Sequence, residues 1–259
     1  MMMPRVSREK SRSGIYHIVL RGINRQDIFH TEEDFLNFLG IVKRVKAAQQ
    51  FQLYAYCLMR NHIHLLIHEQ NEDIAKTMKR IAVSYAGWYN SQYERTGHVF
   101  QDRFKSEPVE DHQYLLTVLR YIHNNPVKEY LVTNPEKYRW SSCKEYYEDA
   151  LPIDEVTDTA YILGVFSADK ETGRTLLQDF MKLQDFDQIL DIEKRERKSD
   201  AELEAHVEYL LDGQPVLRLA TMNKQERNSF LQQLKKLKGV TQRQIARVTG
   251  LNPNIIFKA

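Results

Sequence analysis

Two short stretches carry the residues best suited to chemistry. His62 and His64 flank Ile63 in Asn61-His62-Ile63-His64, ahead of the apolar run Leu65-Leu66-Ile67. About sixty residues downstream, Tyr121 and Asn125 lie one helical turn apart in Arg120-Tyr121-Ile122-His123-Asn124-Asn125-Pro126-Val127. Two imidazoles can bind one divalent cation, which polarises a phosphoryl oxygen and offsets charge as it develops. A phenol, with a pKa near 10, is a weak nucleophile until its proton is helped away. A metal and a tyrosine together suit attack on a nucleic-acid backbone in which one end stays covalently held.

The elements must bring these groups together. Phe51–Leu58 and His62–Glu69 read as two strands of a hairpin closed by Met59-Arg60-Asn61. Alternate residues of a strand share a face, so His62 and His64 point one way while Ile63, Leu65 and Ile67 point to a core. A helix beginning at Asp111 or His112 is expected to end at Pro126, because the residue before proline is pushed out of helical geometry. Tyr121 and Asn125 stack on one side of it, while Leu115, Leu119 and Ile122 tie the other side to the sheet. If this helix crosses the sheet near the histidines, Tyr121 reaches the metal and Asn125 can supply a third ligand.

Each motif alone has a plainer reading. Two histidines on a sheet face often only bond to neighbours, and one tyrosine among 14 is ordinarily a half-buried ring. Tyr114 is a rival nucleophile without an amide one turn on. His68 shares the histidine face, but Leu66 interrupts the triad that a histidine-nucleophile nucleotide hydrolase would need. No second His-x-Thr or His-x-Ser exists to form a two-motif phosphodiesterase.

Further elements surround these. Ile15–Leu20 reads as a strand, followed by the basic loop Arg21–Asp27. Thr31 can cap a helix over Glu32–Gln49, with Glu33 and Asp34 at its positive end. Ile74 to about Arg95 is a long helix; Val99–Phe104 and Ser106–Val109 are short extended pieces; Tyr138–Tyr147 is an aromatic closing segment. The alternation implies an α+β fold, an antiparallel sheet with helices on one face. An acidic stretch around Glu148–Asp158 is a boundary, after which Leu176–Leu183, Asp200–Leu211, Lys224–Lys238 and Gln242–Thr249 read as helical. The expected division is a catalytic segment 1–148, an acidic helical connector 149–215 and a basic helical region 216–259.

The net charge of +2 conceals segregation: six basic residues against Glu9 in 1–25, and nine against Glu226 from Arg218 to Ala259. Basic ends suit a polyanionic partner. The cysteines, Cys57 and Cys143, have no nearby ligand partners, which argues against a zinc or disulfide framework and fits a reducing cytoplasm. No run is long and apolar enough for a bilayer, and no secretory signal is visible. Near the C-terminus, Ile245, Ala246 and Val248 would face a core, Gly250 would make a turn, and Asn252 would cap a helix with Pro253 first. This reads as a helix-turn-helix with Arg243 and Arg247 toward DNA.

The motifs taken together resemble the single-tyrosine transposases that act on single-stranded DNA, in the His-hydrophobe-His nuclease superfamily. The branch associated with repetitive extragenic palindromes is the most similar. The resemblance rests on Arg21-Gly22-Ile23-Asn24-Arg25-Gln26, Met59-Arg60-Asn61-His62-Ile63-His64, Gly97-His98-Val99-Phe100-Gln101-Asp102-Arg103, the Tyr121 helix and Trp140-Ser141-Ser142, across about residues 10–147. It implies a ferredoxin-like catalytic fold in which His62 and His64 bind Mg²⁺ or Mn²⁺ and Tyr121 is the nucleophile. Asn125 stands where many relatives have a glutamine ligand. Cleavage would leave a 5′-phosphotyrosine and a free 3′-hydroxyl, with single-stranded or hairpin DNA as partner. Charge and motif position together nominate Arg21, Arg25, Arg60, Arg103 and Lys105 for the DNA backbone. The resemblance implies either a monomer or a homodimer exchanging tyrosine helices, cytoplasmic and associated with the nucleoid. The competing readings are a non-catalytic DNA-binding regulator and a metal phosphodiesterase acting on a small nucleotide.

Overall fold

A computed structural model describes residues 8–49, 51–148, 156–183, 200–211, 214–216, 218–237, 240 and 242–258. The first elements are β1 (Ile15–Arg21), α1 (Glu32–Gln49), β2 (Gln52–Met59), β3 (His62–His68), α2 (Ile74–Gln92) and β4 (Lys105–Pro108). The strands form one antiparallel sheet in the order β2-β3-β1-β4. Two β-α-β crossovers folded into that order make a ferredoxin-like sheet. Ile18 and Leu20 of β1 and Ile63, Leu65 and Ile67 of β3 bury one face against Phe38 and Val42 of α1 and Met78, Ile81 and Tyr85 of α2.

The opposite face is covered as well. Helix α3 (His112–Lys128) sets Leu115, Val118, Leu119 and Ile122 against Tyr54, Cys57, Met59 and Leu66. The expected placement of helices on one face therefore holds for α1 and α2, while α3 lies on the other. The reason is visible in β2 and β3, whose residues are apolar on both sides and need cover on both.

Asp111 caps α3 by accepting from the Tyr114 amide at 2.8 Å. The helix does not end at Pro126 as expected; it continues to Lys128 with the proline inside it. A proline so near a C-terminus removes one hydrogen bond rather than several. The Asn125 side-chain amide donates to the Tyr121 carbonyl at 2.9 Å in that turn, and Glu129 N–H bonds to the Asn125 carbonyl at 3.0 Å.

The α1 N-terminus is held by buried Asp34, which accepts from the amides of His30 and Thr31 and from the Tyr93 hydroxyl. An acid reaching back to the capping residue satisfies donors the helix cannot. Trp140-Ser141-Ser142 runs along the outer edge of β2: Leu58 N–H bonds to the Trp140 carbonyl at 2.8 Å and Ser142 N–H to the Tyr56 carbonyl at 3.0 Å. This covers an edge that would otherwise invite pairing with another chain.

Helices α4 (Cys143–Tyr147), α5 (Thr159–Phe166) and α6 (Lys170–Lys182) extend the second core through Tyr146, Ile162, Leu163, Leu177 and Met181. The chain divides into two compact units, 1–190 and 191–259, so the stretch 149–215 is shared between them. Most of the boundary expected near Glu148–Asp158 lies outside the described residues. The second unit holds α7 (Asp200–Leu210), α8 (Arg218–Thr221), α9 (Lys224–Lys236), α10 (Gln242–Thr249) and α11 (Pro253–Lys258) around Leu203, Val207, Leu231, Leu234, Ile245 and Ile256. Gly250, at φ +66°, turns α10 into α11. Among the described residues no helix is long and apolar enough to cross a membrane.

One glycine fixes the loop beside the histidine hairpin. Gly22 N–H bonds to the Asn61 carbonyl at 2.9 Å, and a Cβ there would stand 2.2 Å from the Gln26 carbonyl oxygen and 2.9 Å from Ile28 Cγ2. Gly22→Ala must therefore displace backbone, at a cost on the order of 1–3 kcal/mol or more. A lowered midpoint in urea denaturation checks this; an unchanged midpoint would show that the loop relaxes freely.

Candidate active site

Sheet register builds the site. Directly paired residues project to the same face. Across β4, β1, β3 and β2 the rows are Lys105, Val19, His64, Cys57 and, one step along, Glu107, His17, Leu66. A third row places Arg21 beside His62 and Met59. All of these lie on the face that α3 covers.

The two histidines and the tyrosine meet there. His62 and His64 are buried, with ring centroids 5.0 Å apart. The Tyr121 ring stands edge-on to His64 at 5.6 Å and to His17 at 5.8 Å. The tyrosine thus reaches the histidines of its own chain. Lys128 Nζ lies 4.4 Å from the centre of the Tyr121 ring, a cation over its face.

Each histidine has its Nδ1 occupied. His62 Nδ1 pairs with Asn61 Oδ1 at 2.6 Å, and His64 Nδ1 with His17 Nε2 at 3.0 Å. Nε2 is the nitrogen through which each ring would take a metal. Burial holds the His64 pKa well below its ordinary value, and His62, His17, Arg21 and Lys128 push it the same way. A neutral imidazole is the form that binds metal. Glu129 Oε1 stands 3.8 Å from His62 Nε2 and adds a negative charge at the same place. These features fit a divalent cation. Among the described residues no group of three or more His, Cys, Asp or Glu is assembled for one, so the two histidines would need a further donor.

Of the other residues expected to act, Asn125 is buried, with its amide nitrogen engaged by the Tyr121 carbonyl. Arg21 and Lys105 project from the histidine face. Arg25 and Arg60 are exposed on the loops beside Asn61, and Arg60 pairs with Asp27 at 2.9 Å. Arg103 is exposed in the turn before β4, near Arg8, whose guanidinium stacks 3.7 Å over Phe104. In the second unit Arg247 is bound to Asp200 by two contacts of 2.5 and 2.7 Å. Arg243 lies in α10, its side chain outside the described set.

Four residues near the site escaped the sequence reading: His17, Glu107, Lys128 and Glu129. His17 and Glu107 could have been found by pairing the strands in register, since they then fall one row from His64. Lys128 and Glu129 could not, because the helix was expected to stop at Pro126.

Residues 10–125, a little under half of the 259, match the protein-family model described as "Transposase IS200 like". This segment is similar to that family of transposases. A solved structure of a REP-associated tyrosine transposase bound to a REP hairpin is 19% identical, covering 61% of this chain and 93% of that one, with a TM-score of 0.48. A crystal structure from Deinococcus radiodurans R1, described as a provisionally assigned transposase, is 18% identical over 48% of this chain and 97% of that one, with a TM-score of 0.33. No curated protein matches the chain.

Proposed function

We propose that this protein cleaves and rejoins single-stranded or hairpin DNA through a covalent bond to Tyr121. The observation that carries the reading is the approach of the Tyr121 ring to within 5.6 Å of His64, on the face where His62 also lies. The phenol oxygen attacks a backbone phosphorus and gives up its proton. The bond from phosphorus to the 3′-oxygen breaks, and that oxygen gains a proton. A 5′-phosphotyrosine and a free 3′-hydroxyl result. Reversal by a 3′-hydroxyl rejoins the strand and needs no nucleotide cofactor, since the phosphodiester energy is conserved in the tyrosyl bond.

His62 and His64 would hold Mg²⁺ or Mn²⁺ through Nε2, with Asn125 Oδ1 as a further donor. Such an ion would polarise the phosphoryl oxygen and offset the developing charge. Arg21, Lys105 and Lys128 hold the attacked phosphate by charge, and Arg25, Arg60 and Arg103 hold the flanking backbone. The unit 191–259 is a DNA-binding appendage in which α10, Gly250 and α11 form a helix-turn-helix, with Arg243 and Arg247 at the DNA. On this reading the protein acts in the cytoplasm, with the nucleoid.

The test incubates the full chain with single-stranded oligonucleotides from the DNA flanking its gene, with Mg²⁺ or Mn²⁺. The expected product is a DNA–protein adduct that maps to Tyr121 by peptide mass spectrometry. It disappears with chelator and in Tyr121→Phe, a loss of all detectable adduct. Binding to hairpins without an adduct would make the protein a regulator. Cleavage that survives in Tyr121→Phe would mean that water is the nucleophile.

A further inference from the structure

We propose that His17 is a positioning residue that holds His64 in the one neutral tautomer able to bind a metal, and that Glu107 sets the direction of this pairing. The inference rests on the metal-binding reading of His62 and His64. Three observations carry it. His17 is completely buried, so its ring nitrogens must find partners within the protein. Its Nε2 lies 3.0 Å from His64 Nδ1, with the rings stacked at 5.3 Å and 20°. Its Nδ1 faces the Glu107 carboxylate, 3.7 Å away on the neighbouring strand.

Two neutral imidazoles in contact share one proton between the facing nitrogens, and either can be the donor. In one arrangement His17 Nε2–H donates to His64 Nδ1. His17 Nδ1 is then a bare lone pair turned toward a carboxylate, and His64 carries its own proton on Nε2, where a metal would bind. In the other, His17 Nδ1–H points at Glu107, His17 Nε2 accepts, and His64 Nδ1–H donates to it. The Nδ1 proton then faces the carboxylate charge, which at 3.7 Å acts through space rather than as a hydrogen bond, and His64 Nε2 is bare. Electrostatics selects the second. His62 is set in the same sense by Asn61: the Asn61 amide nitrogen is directed at the Arg25 carbonyl, 3.4 Å away, so its Oδ1 faces His62 Nδ1. The two ligands are thus oriented by different neighbours, one on the hairpin turn and one on β1. Outer partners of this kind tune metal affinity through the ligand they orient.

The tautomers are read directly from long-range ¹H–¹⁵N spectra of the full-length, metal-free protein at neutral pH. The expected result is an Nδ1–H form for both His17 and His64. An Nε2–H form of His64 would overturn the proposal. Mn²⁺ titration calorimetry adds a second readout. His17→Leu is expected to weaken Mn²⁺ binding about ten- to a hundredfold. His17→Gln, whose side-chain oxygen can replace Nε2 as acceptor, is expected to recover most of it. Equal losses in the two variants, or none in either, would reduce His17 to a packing role. If His17→Leu does not fold, the wild-type spectrum and His17→Gln still decide. Wild-type protein that binds no Mn²⁺ would sink the metal reading itself, while the spectrum would report on His17 regardless.

Discussion

Exchanging either His62 or His64 for alanine is expected to slow metal-dependent strand cleavage by about a thousandfold or more, since a bound cation contributes several kcal/mol and each 1.4 kcal/mol is tenfold in rate. The two exchanges differ in what else they disturb. His62→Ala leaves Asn61 at a half-buried turn, where water can replace the lost partner. His64→Ala removes the partner of fully buried His17 and opens space beside the Tyr121 ring. An orphaned buried polar group costs about 1–3 kcal/mol. His64→Ala should therefore melt below His62→Ala, although both lose cleavage. Single-turnover cleavage rates with thermal melts of the same preparations separate the two effects. Full cleavage by His62→Ala would remove it from the reaction.

Acid should unfold the protein through His123. This residue is buried in α3 and its Nε2 lies 2.9 Å from Ser142 Oγ, which also accepts from the Tyr56 amide. Burial pushes its pKa down to about 3. In the unfolded chain a histidine titrates near 6.5. Between these values the unfolded state binds a proton that the folded state refuses, so stability rises with pH across that window. Read downward, the contribution is intact above pH 6.5 and is lost as the pH falls toward 3. One proton gives a slope approaching about 1.4 kcal/mol per pH unit, and several kcal/mol over the window. Burial lowers His17 and His64 in the same sense. Urea midpoints from pH 7 to 3, in chelator, should fall more steeply for the wild type than for His123→Gln. Parallel curves would assign the acid sensitivity to other groups.

The parts of the fold that were legible are those where a period or a cap writes itself into the chain. Strand β3 alternates His62 and His64 with Ile63, Leu65 and Ile67, and the structure sends the two sets to opposite faces. Thr31 and Asp111 mark the starts of α1 and α3. The C-terminus of α3 was not legible, because proline's local bias was outweighed by the Asn125 bond and by buried Pro126 itself. Helix α5 was legible only as part of a helical connector, without bounds, because Tyr161-Ile162-Leu163-Gly164-Val165-Phe166 is apolar at nearly every position and carries no helical period. His17 escaped for a different reason. A single histidine in a buried strand has no pattern of its own, and its meaning comes only from the residue paired across the sheet. Within Trp140-Ser141-Ser142 and His123, the motif residues used to support the resemblance prove to be structural, joining α3 to the edge of β2.

The alternation along β3 has a consequence for how failure would look. A slip of one residue against β1 or β2 would turn His62 and His64 into the apolar layer under α1 and α2, and bring Ile63 and Leu65 beneath Tyr121. Such a chain would bury two imidazoles in hydrocarbon and expose nothing able to hold a cation. Misregistered molecules are therefore both unstable and inert, and a half-correct hairpin has no partial activity. On the proposed function, the chain could cut only after this central strand had been proofread by its own core.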